Sequence, residues 1–171
     1  MSLLAIRPET DDERPLELLY ACHERVRRFT TTAGRLAGHV ASHGADAEAQ
    51  EAARNVLRYF DLALPNHHID EEEDVFPALR GLADPALDKA IDELLAQHDT
   101  LGAAWRGVRP WLVSIAAGET PAQAPQELPA FVSGYAAHAD FEEQKVFSAI
   151  DRLPADTVNA IAQRMRERRG A

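Results

Sequence analysis

The sequence of 171 residues contains one cysteine, Cys22, and only 18 Lys and Arg against 28 Asp and Glu. A single cysteine cannot form a disulfide within the chain, and it excludes a metal site built from several thiolates. The net charge of -10 disfavours nucleic acid and anionic membrane surfaces as partners. Because Cys22 directly precedes His23, a role beside a site is the alternative to ordinary burial in a helix core.

Long apolar runs and secretion signals are also missing. The sequence has no stretch of eighteen apolar residues, and residues 1–12 lack a basic region followed by an apolar stretch and a small-residue cleavage site. We therefore expect a cytoplasmic protein without membrane contact. The length suits one domain with its own core, so we expect a single domain over residues 1–171.

Strand-like alternation is absent, whereas apolar residues recur at three- and four-residue spacing almost throughout, which predicts an all-α fold. The pattern and its breaks predict five helices. The first covers residues 14–41, and the second covers residues 46–81 with a kink or break at Pro65. The third begins at Pro85 and is bent or shortened by Pro110, the fourth follows a loop at residues 118–129, and a short C-terminal helix covers about residues 155–169. Their lengths fit an antiparallel, up-down four-helix bundle over about residues 14–151.

A thirteen-residue pattern occurs twice, as HHIDEEEDVFPAL from His67 and as HADFEEQKVFSAI from His138. In each copy a glutamate follows the first histidine by four residues, namely Glu71 and Glu142. Four residues advance a helix by about 400° and roughly 6 Å, so both side chains leave the same face one turn apart. Each His–Glu pair therefore predicts two ligands for one metal centre.

A further histidine lies on the apolar face of the helix before each pair: His23 precedes His67 by 44 residues, and His98 precedes His138 by 40. One such histidine alone is more often a satisfied core residue than a ligand, but one on each of four helices favours a shared site. Burying them with two carboxylates and no ion costs several kcal/mol per unpaired charge. The sequence thus predicts two metal ions held by six residues: His23, His67, Glu71, His98, His138 and Glu142.

Three neighbouring residues leave alternatives open. Glu143 is an alternative to Glu142 as the metal ligand. His68 and Glu72 have the same four-residue spacing as His67 and Glu71, on a helix face rotated by about 100°. Phe76 and Phe147 each lie nine residues after the first histidine of their copy, which favours the first register. Whether Glu143, Glu72 or His68 joins the site stays open. The metal is expected to be iron, with manganese or zinc able to replace it, because imidazole and carboxylate suit all three.

Other polar residues are expected at the surface. His39 and His43 are rotated roughly 160° to 200° from His23 along the first helix. The acidic run over residues 70–74 is interpreted as a solvated face whose outward members attract cations.

The complete set of residues resembles the motif of the hemerythrin-like, or HHE cation-binding, family over residues 14–151. That motif has a lone histidine on helix one, His-x-x-x-Glu before Phe-Pro on helix two, a lone histidine on helix three and a second His-x-x-x-Glu on helix four. The matching residues in this chain are, in the same order, His23, His67 with Glu71, His98, and His138 with Glu142. The resemblance implies an oxo- or hydroxo-bridged pair of irons spanned by the two glutamates, with dioxygen, peroxide or nitric oxide as the small ligand.

One departure affects the expected function. Family members that carry oxygen place a second histidine one turn after the first on helix three, where this chain has Gly102. Six ligands instead of seven imply an open coordination position and resemble the redox-reactive members, with no separate catalytic residue. The alternatives are an iron or redox sensor, or a protein of iron-sulfur cluster repair or nitric oxide defence; the latter commonly has an N-terminal cysteine segment, and here Cys22 is the sole cysteine.

Overall fold

The computed structural model describes residues 14–170, which form five long helices and no strand. Helix α1 spans Pro15–His43, and α2 runs continuously over residues 47–80. Helices α3, α4 and α5 span Pro85–Ala116, Leu128–Lys145 and Ala155–Arg168, and a 3-10 turn at Phe147–Arg152 joins α4 to α5. The predicted all-α fold is confirmed. Within this described part of the chain, no helix is long and apolar enough to cross a membrane.

Two apolar clusters fill the two ends of the bundle. The first cluster includes Val26, Phe60, Leu101 and Phe131, and the second includes Leu19, Phe76, Leu94 and Phe147. Going along the chain, α1 and α3 pass from the second cluster to the first, while α2 and α4 pass from the first to the second. The four helices therefore alternate in direction, and α1 packs on both α2 and α4 to close the ring.

The helix ends follow from local chemistry. Gly44 adopts φ +72, a left-handed conformation that glycine reaches without a Cβ clash, and α1 ends before it. Asp46 caps α2 by accepting a hydrogen bond from the backbone N–H of Ala49, and Asp84 caps α3 in the same way through Ala86 and Leu87. Pro110 lies inside α3, which continues beyond it to Ala116.

Helix α2 contains two π-helical stretches, Tyr59–Ala63 and Asp70–Val75, and each is followed closely by a proline. The backbone N–H of Leu64 bonds to the carbonyl of Tyr59, and that of Phe76 bonds to the carbonyl of Glu71, five residues back in each case. A proline ring crowds the carbonyl four residues earlier, and a wider turn leaves room for it. Pro65 therefore changes the winding of α2, and because the helix continues past it, the predicted alternative of a break is wrong.

Helix α5 packs against α1 and against the second π-helical stretch of α2. Its apolar face contributes Ile161 and Met165 to the second cluster. This contact places a basic helix directly beside the segment that contains Glu71.

Candidate metal centre

The six residues predicted as ligands lie together in a layer between the two apolar clusters. The most exposed of them, His98, exposes only 8% of its surface. Their ligand atoms form two groups, in each of which all atoms lie within 4.8 Å of one another: His23, His67, Glu71 and Glu142 in the first, and Glu71, His98 and His138 in the second. We call these the four-residue group and the three-residue group. Glu71 belongs to both.

Each glutamate lies between the histidine of its own helix and a histidine of another helix. For Glu71, Oε1 is 2.8 Å from His67 Nε2 and Oε2 is 3.3 Å from His98 Nε2. For Glu142, Oε2 is 3.2 Å from His23 Nε2 and 4.0 Å from His138 Nε2. Both carboxylates therefore lie between imidazoles of different helices, and Glu71 is the one that belongs to both groups.

The residue after each of these glutamates holds the outer nitrogen of a histidine. Glu72 Oε1 lies 2.6 Å from His98 Nδ1, and Glu143 Oε1 lies 2.9 Å from His23 Nδ1. A carboxylate accepting from Nδ1–H leaves the Nε2 lone pair free to face inward, and it fixes the ring orientation. Sequence reasoning missed this role, although the doubled glutamate in both copies of the pattern was the signal for it.

His138 has a different outer partner. Its Nδ1 lies 2.9 Å from Oε1 of Gln97, whose amide nitrogen donates to Glu93 at 3.4 Å. An amide oxygen is neutral, so this acceptor is weaker than the carboxylates beside His23 and His98. Gln97 is not among the predicted site residues, and its position directly before His98 was the available signal.

Cys22 lies beside the fourth histidine. Its thiol is buried, 3.1 Å from the hydroxyl of Tyr59, which donates to the Cys22 carbonyl at 3.0 Å. Burial opposes the charged form of His67, but the neighbouring Cys22 and Glu71 outweigh this effect and hold the pKa of His67 above its usual value. Cys22 is thus both a core residue and a neighbour of the site.

His68 lies outside both groups. Its ring stacks on that of His98 with centroids 4.1 Å apart, and burial lowers the pKa of His68 to about 3. His39 and His43 also lie away from the site, stacked on each other near the end of α1, with His39 Nε2 3.0 Å from Asp46.

The acidic run over residues 70–74 is not simply a solvated face. Asp70 and Asp74 are 0% and 5% exposed, and both pair with Arg168 of α5. Arg169 also reaches Asp70 at 2.5 Å, and Arg164 pairs with Asp74. The expectation was wrong for these two aspartates because their partners lie on α5, far away in the sequence.

Many polar atoms that face the centre of the site have no hydrogen-bond partner among the described residues. These buried atoms are Nε2 of His23, His98 and His138 and both carboxylate oxygens of Glu71 and Glu142. Nδ1 of His67 is also buried without a partner, on the edge of the ring opposite to the nitrogen that faces Glu71. A buried polar atom without a partner costs about 1–3 kcal/mol. So many converging lone pairs fit metal ions, which accept electron pairs from imidazole nitrogen and carboxylate oxygen.

The titration of the buried groups reflects the same shortage of positive charge. Burial and the nearby Glu71 carboxylate raise the pKa of Glu142 well above its usual value. Burial also acts to raise the pKa of Glu71, but His67 and His98 lower it well below the usual value. Burial lowers the pKa of His23 to about 4 and that of His138 to about 3, so neither ring supplies a proton at neutral pH.

Carboxylates surround the site and attract cations. Glu71 and Glu142 lie inside it, and Glu72 and Glu143 lie on the outer nitrogens. Arg27 contacts Glu143 at 2.9 Å, but its charge is balanced by Asp140 at 2.6 Å.

Comparison with known proteins gives the same assignment. The family profile described as hemerythrin HHE cation binding domain matches residues 14–150. A protein of Haemophilus influenzae, described as uncharacterized, is 32% identical over 155 residues, which cover 91% of this chain and 90% of that relative. The buried His and Glu groups are able to hold a metal, as the name of the family requires. The chain belongs to the hemerythrin HHE cation-binding family.

Proposed function

We propose that this protein holds two iron ions through its six converging residues and binds or reacts with a small oxidant, namely dioxygen, peroxide or nitric oxide, in the cytoplasm. The observation that carries the proposal is the set of buried, inward-facing lone pairs without partners on four different helices. A cluster of this kind is costly in an empty site and favourable around cations.

Iron is the metal that we favour, because mixed imidazole and carboxylate donors without thiolate suit it and leave positions for an exogenous ligand. When bound, the iron pair supplies open coordination positions and two electrons to the oxidant. The residues of the chain would hold the metal ions and keep the imidazole rings oriented towards them. Glu71, which belongs to both groups, would join the two positions, Glu142 would complete the four-residue group, and the outer acceptors orient three imidazoles.

The two phenylalanines of the repeated pattern keep water from the histidines. The ring of Phe147 stacks on His23 with centroids 5.0 Å apart, and that of Phe76 faces His98 at 6.4 Å. Both phenylalanines are at most 2% exposed. A dry wall strengthens electrostatic interactions inside the site and protects a reactive centre from side reactions.

The proposal is tested by loading the metal-free protein with ferrous iron under anaerobic conditions. We expect two irons per chain by elemental analysis, and charge-transfer bands when air, peroxide or nitric oxide is added. The variant His138→Gln should lose iron, whereas His39→Gln, which changes a histidine outside the site, should keep both. Iron content near zero in the unmodified protein, or no optical change with any of the three oxidants, would contradict the proposal.

A metal sensor is a second candidate function, favoured by the contact between α5 and α2. The π-helical stretch Asp70–Val75 contains Glu71 together with the two aspartates that α5 binds. Metal binding to Glu71 therefore acts on a segment that also holds α5 in place. Hydrogen exchange of α5 tests this function: a sensor requires that iron slow exchange in α5, and equal exchange with and without iron would exclude it.

A further inference from the structure

A cleft of about 500 Å³ lies between helices α3 and α4, next to the candidate site. Its lining is mainly apolar or small and includes Leu101, Gly134, Ala137 and Phe141. Gln97 and His138, the hydrogen-bonded pair described above, also line the cleft. A ligand in this cleft therefore lies against the outer edge of a histidine whose Nε2 faces the site.

Gly134 keeps the cleft open. A Cβ at this position would lie 3.0 Å from Cδ2 of Leu101, closer than side chains normally approach. Any larger residue must push Leu101 aside or fill the space between the two helices. Glycine inside a helix is unfavourable by about 1 kcal/mol relative to alanine, so its presence in the middle of α4 indicates a need for space.

His138, which lines the cleft, belongs to the group with fewer ligands. The three-residue group offers one glutamate and two histidines, and the four-residue group offers two of each. Residue 102, one turn after His98 on α3, is a glycine and adds no further ligand. A metal bound by three donors has more positions for an exogenous ligand than a metal bound by four.

The chemistry of the cleft selects its ligand. Apolar and small side chains form its walls, and Glu93 is the charged residue that lines it. The whole chain carries a net charge of -10. The Glu93 carboxylate and an apolar wall disfavour small anions and admit neutral molecules.

We propose that small neutral oxidants reach the three-residue group through the cleft between α3 and α4, with Gly134 setting its width. This inference rests on the proposed function, because it names the metal position and the class of ligand that the function requires. The ligand class is neutral diatomic molecules such as dioxygen or nitric oxide, as opposed to anions.

The first test locates the cleft without any reaction at the metal. Crystals pressurised with xenon, a neutral apolar probe, should show xenon against Leu101 and Gly134. The variant Gly134→Val should exclude it. Ala137→Leu fills the same cleft from an exposed position, so it remains informative if the first variant does not fold. Gly38→Val is the matched control, because a Cβ at Gly38 meets nothing within 4 Å.

The second test measures the association of nitric oxide and of azide with iron-loaded protein by stopped flow. We expect nitric oxide to bind at least about tenfold more slowly in the two cleft variants than in Gly38→Val, a barrier increase of about 1.4 kcal/mol, with unchanged iron content. Azide should bind more slowly than nitric oxide in the unmodified protein.

Each failure has a distinct meaning. Absence of xenon from the cleft, or an unchanged nitric oxide rate in a folded variant that excludes xenon, would overturn the access path. Azide binding as fast as nitric oxide would overturn the neutral ligand class. A protein that holds no iron but binds xenon in the cleft would contradict the proposed function and not the cleft.

Discussion

Arg168 of helix α5 pairs with two buried aspartates of α2, and its substitution gives a quantitative test of the structure. Its guanidinium, 18% exposed, pairs with the carboxylates of Asp70 and Asp74, which are 0% and 4% exposed as side chains. Breaking a buried ion pair by removing one partner costs about 3–5 kcal/mol, because the other charge stays buried. Arg169 and Arg164 remain beside the two aspartates, so we expect the lower end, about 3 kcal/mol.

The assay is thermal and urea unfolding of the metal-free protein, in which bound metal cannot mask a loss of stability. In a domain of this size 1 kcal/mol corresponds to about 2–4 °C, so Arg168→Ala should lower Tm by about 6–12 °C. Arg152→Ala is the matched control. Arg152 pairs with Asp84 at 2.8 Å, but both side chains are largely accessible at 50% and 31%, and an exposed pair contributes about 0–1 kcal/mol.

The result that refutes this reasoning is equal destabilisation by the two substitutions. It would mean that water reaches Asp70 and Asp74 and that α5 is not held by a buried ion pair. Arg168→Met distinguishes charge from packing, because it keeps an apolar stem of similar length. If charge is the cause, Arg168→Met should be as destabilising as Arg168→Ala.

Three further substitutions probe the site. Glu142→Gln keeps the size of the side chain but removes its charge, so we expect iron content to fall below two per chain by elemental analysis. Gln97→Glu gives His138 a carboxylate acceptor. We therefore expect the metal ion bound by the three-residue group to bind about tenfold more tightly in chelator competition. His68→Gln addresses pH: the folded-state pKa of about 3 lies below the unfolded value, so the unfolded chain takes up the proton first and stability is lost as pH falls from about 6.5 towards 3. The variant should reduce the loss of unfolding free energy between pH 7 and pH 5 by about 2 kcal/mol in metal-free protein.

Controls for these substitutions come from exposed residues. Glu119→Gln and Gln123→Glu make the same chemical changes in the connection between α3 and α4, and His43→Gln does so at the end of α1. Iron content of two in Glu142→Gln would remove this glutamate from the proposed ligands. An unchanged affinity in Gln97→Glu would show that the outer acceptor of His138 does not affect binding. An identical pH dependence in His68→Gln would contradict the lowered pKa of that ring.

The fold and the clustering of six residues could be predicted because both depend on helix periodicity. A spacing of four places His67 with Glu71, and His138 with Glu142, on one helical face whatever surrounds them. The chain approximately repeats one unit, a lone histidine followed by a His–Glu pair. This approximate duplication places the two lone histidines on the helices between those that hold the pairs. These are local regularities, and they can be recognised in a single sequence.

The contacts across helices were not predictable in the same way. The pairing of Asp70 with Arg168 joins residues 98 positions apart, and no local pattern links an acidic run to a particular basic helix. The π-helical winding also matters, because it allows both Asp70 and the adjacent Glu71 to be fully buried, one against α5 and the other inside the site. The expectation of a solvated face rested on the run of acidic charge alone, which does not show which members of the run turn inward.

The duplication also explains where the two halves of the site differ. Gln97 precedes His98 and accepts a hydrogen bond from His138, while Cys22 precedes His23 and lies beside His67. The same backbone position thus contributes an amide in one half and a thiol in the other. The amide is half-buried at the end of the cleft, whereas the thiol is enclosed next to Tyr59. The six site residues therefore form a nearly symmetric cluster, and the residues just outside them differ: the amide beside His138 borders the cleft, whereas the thiol beside His67 is enclosed in the core.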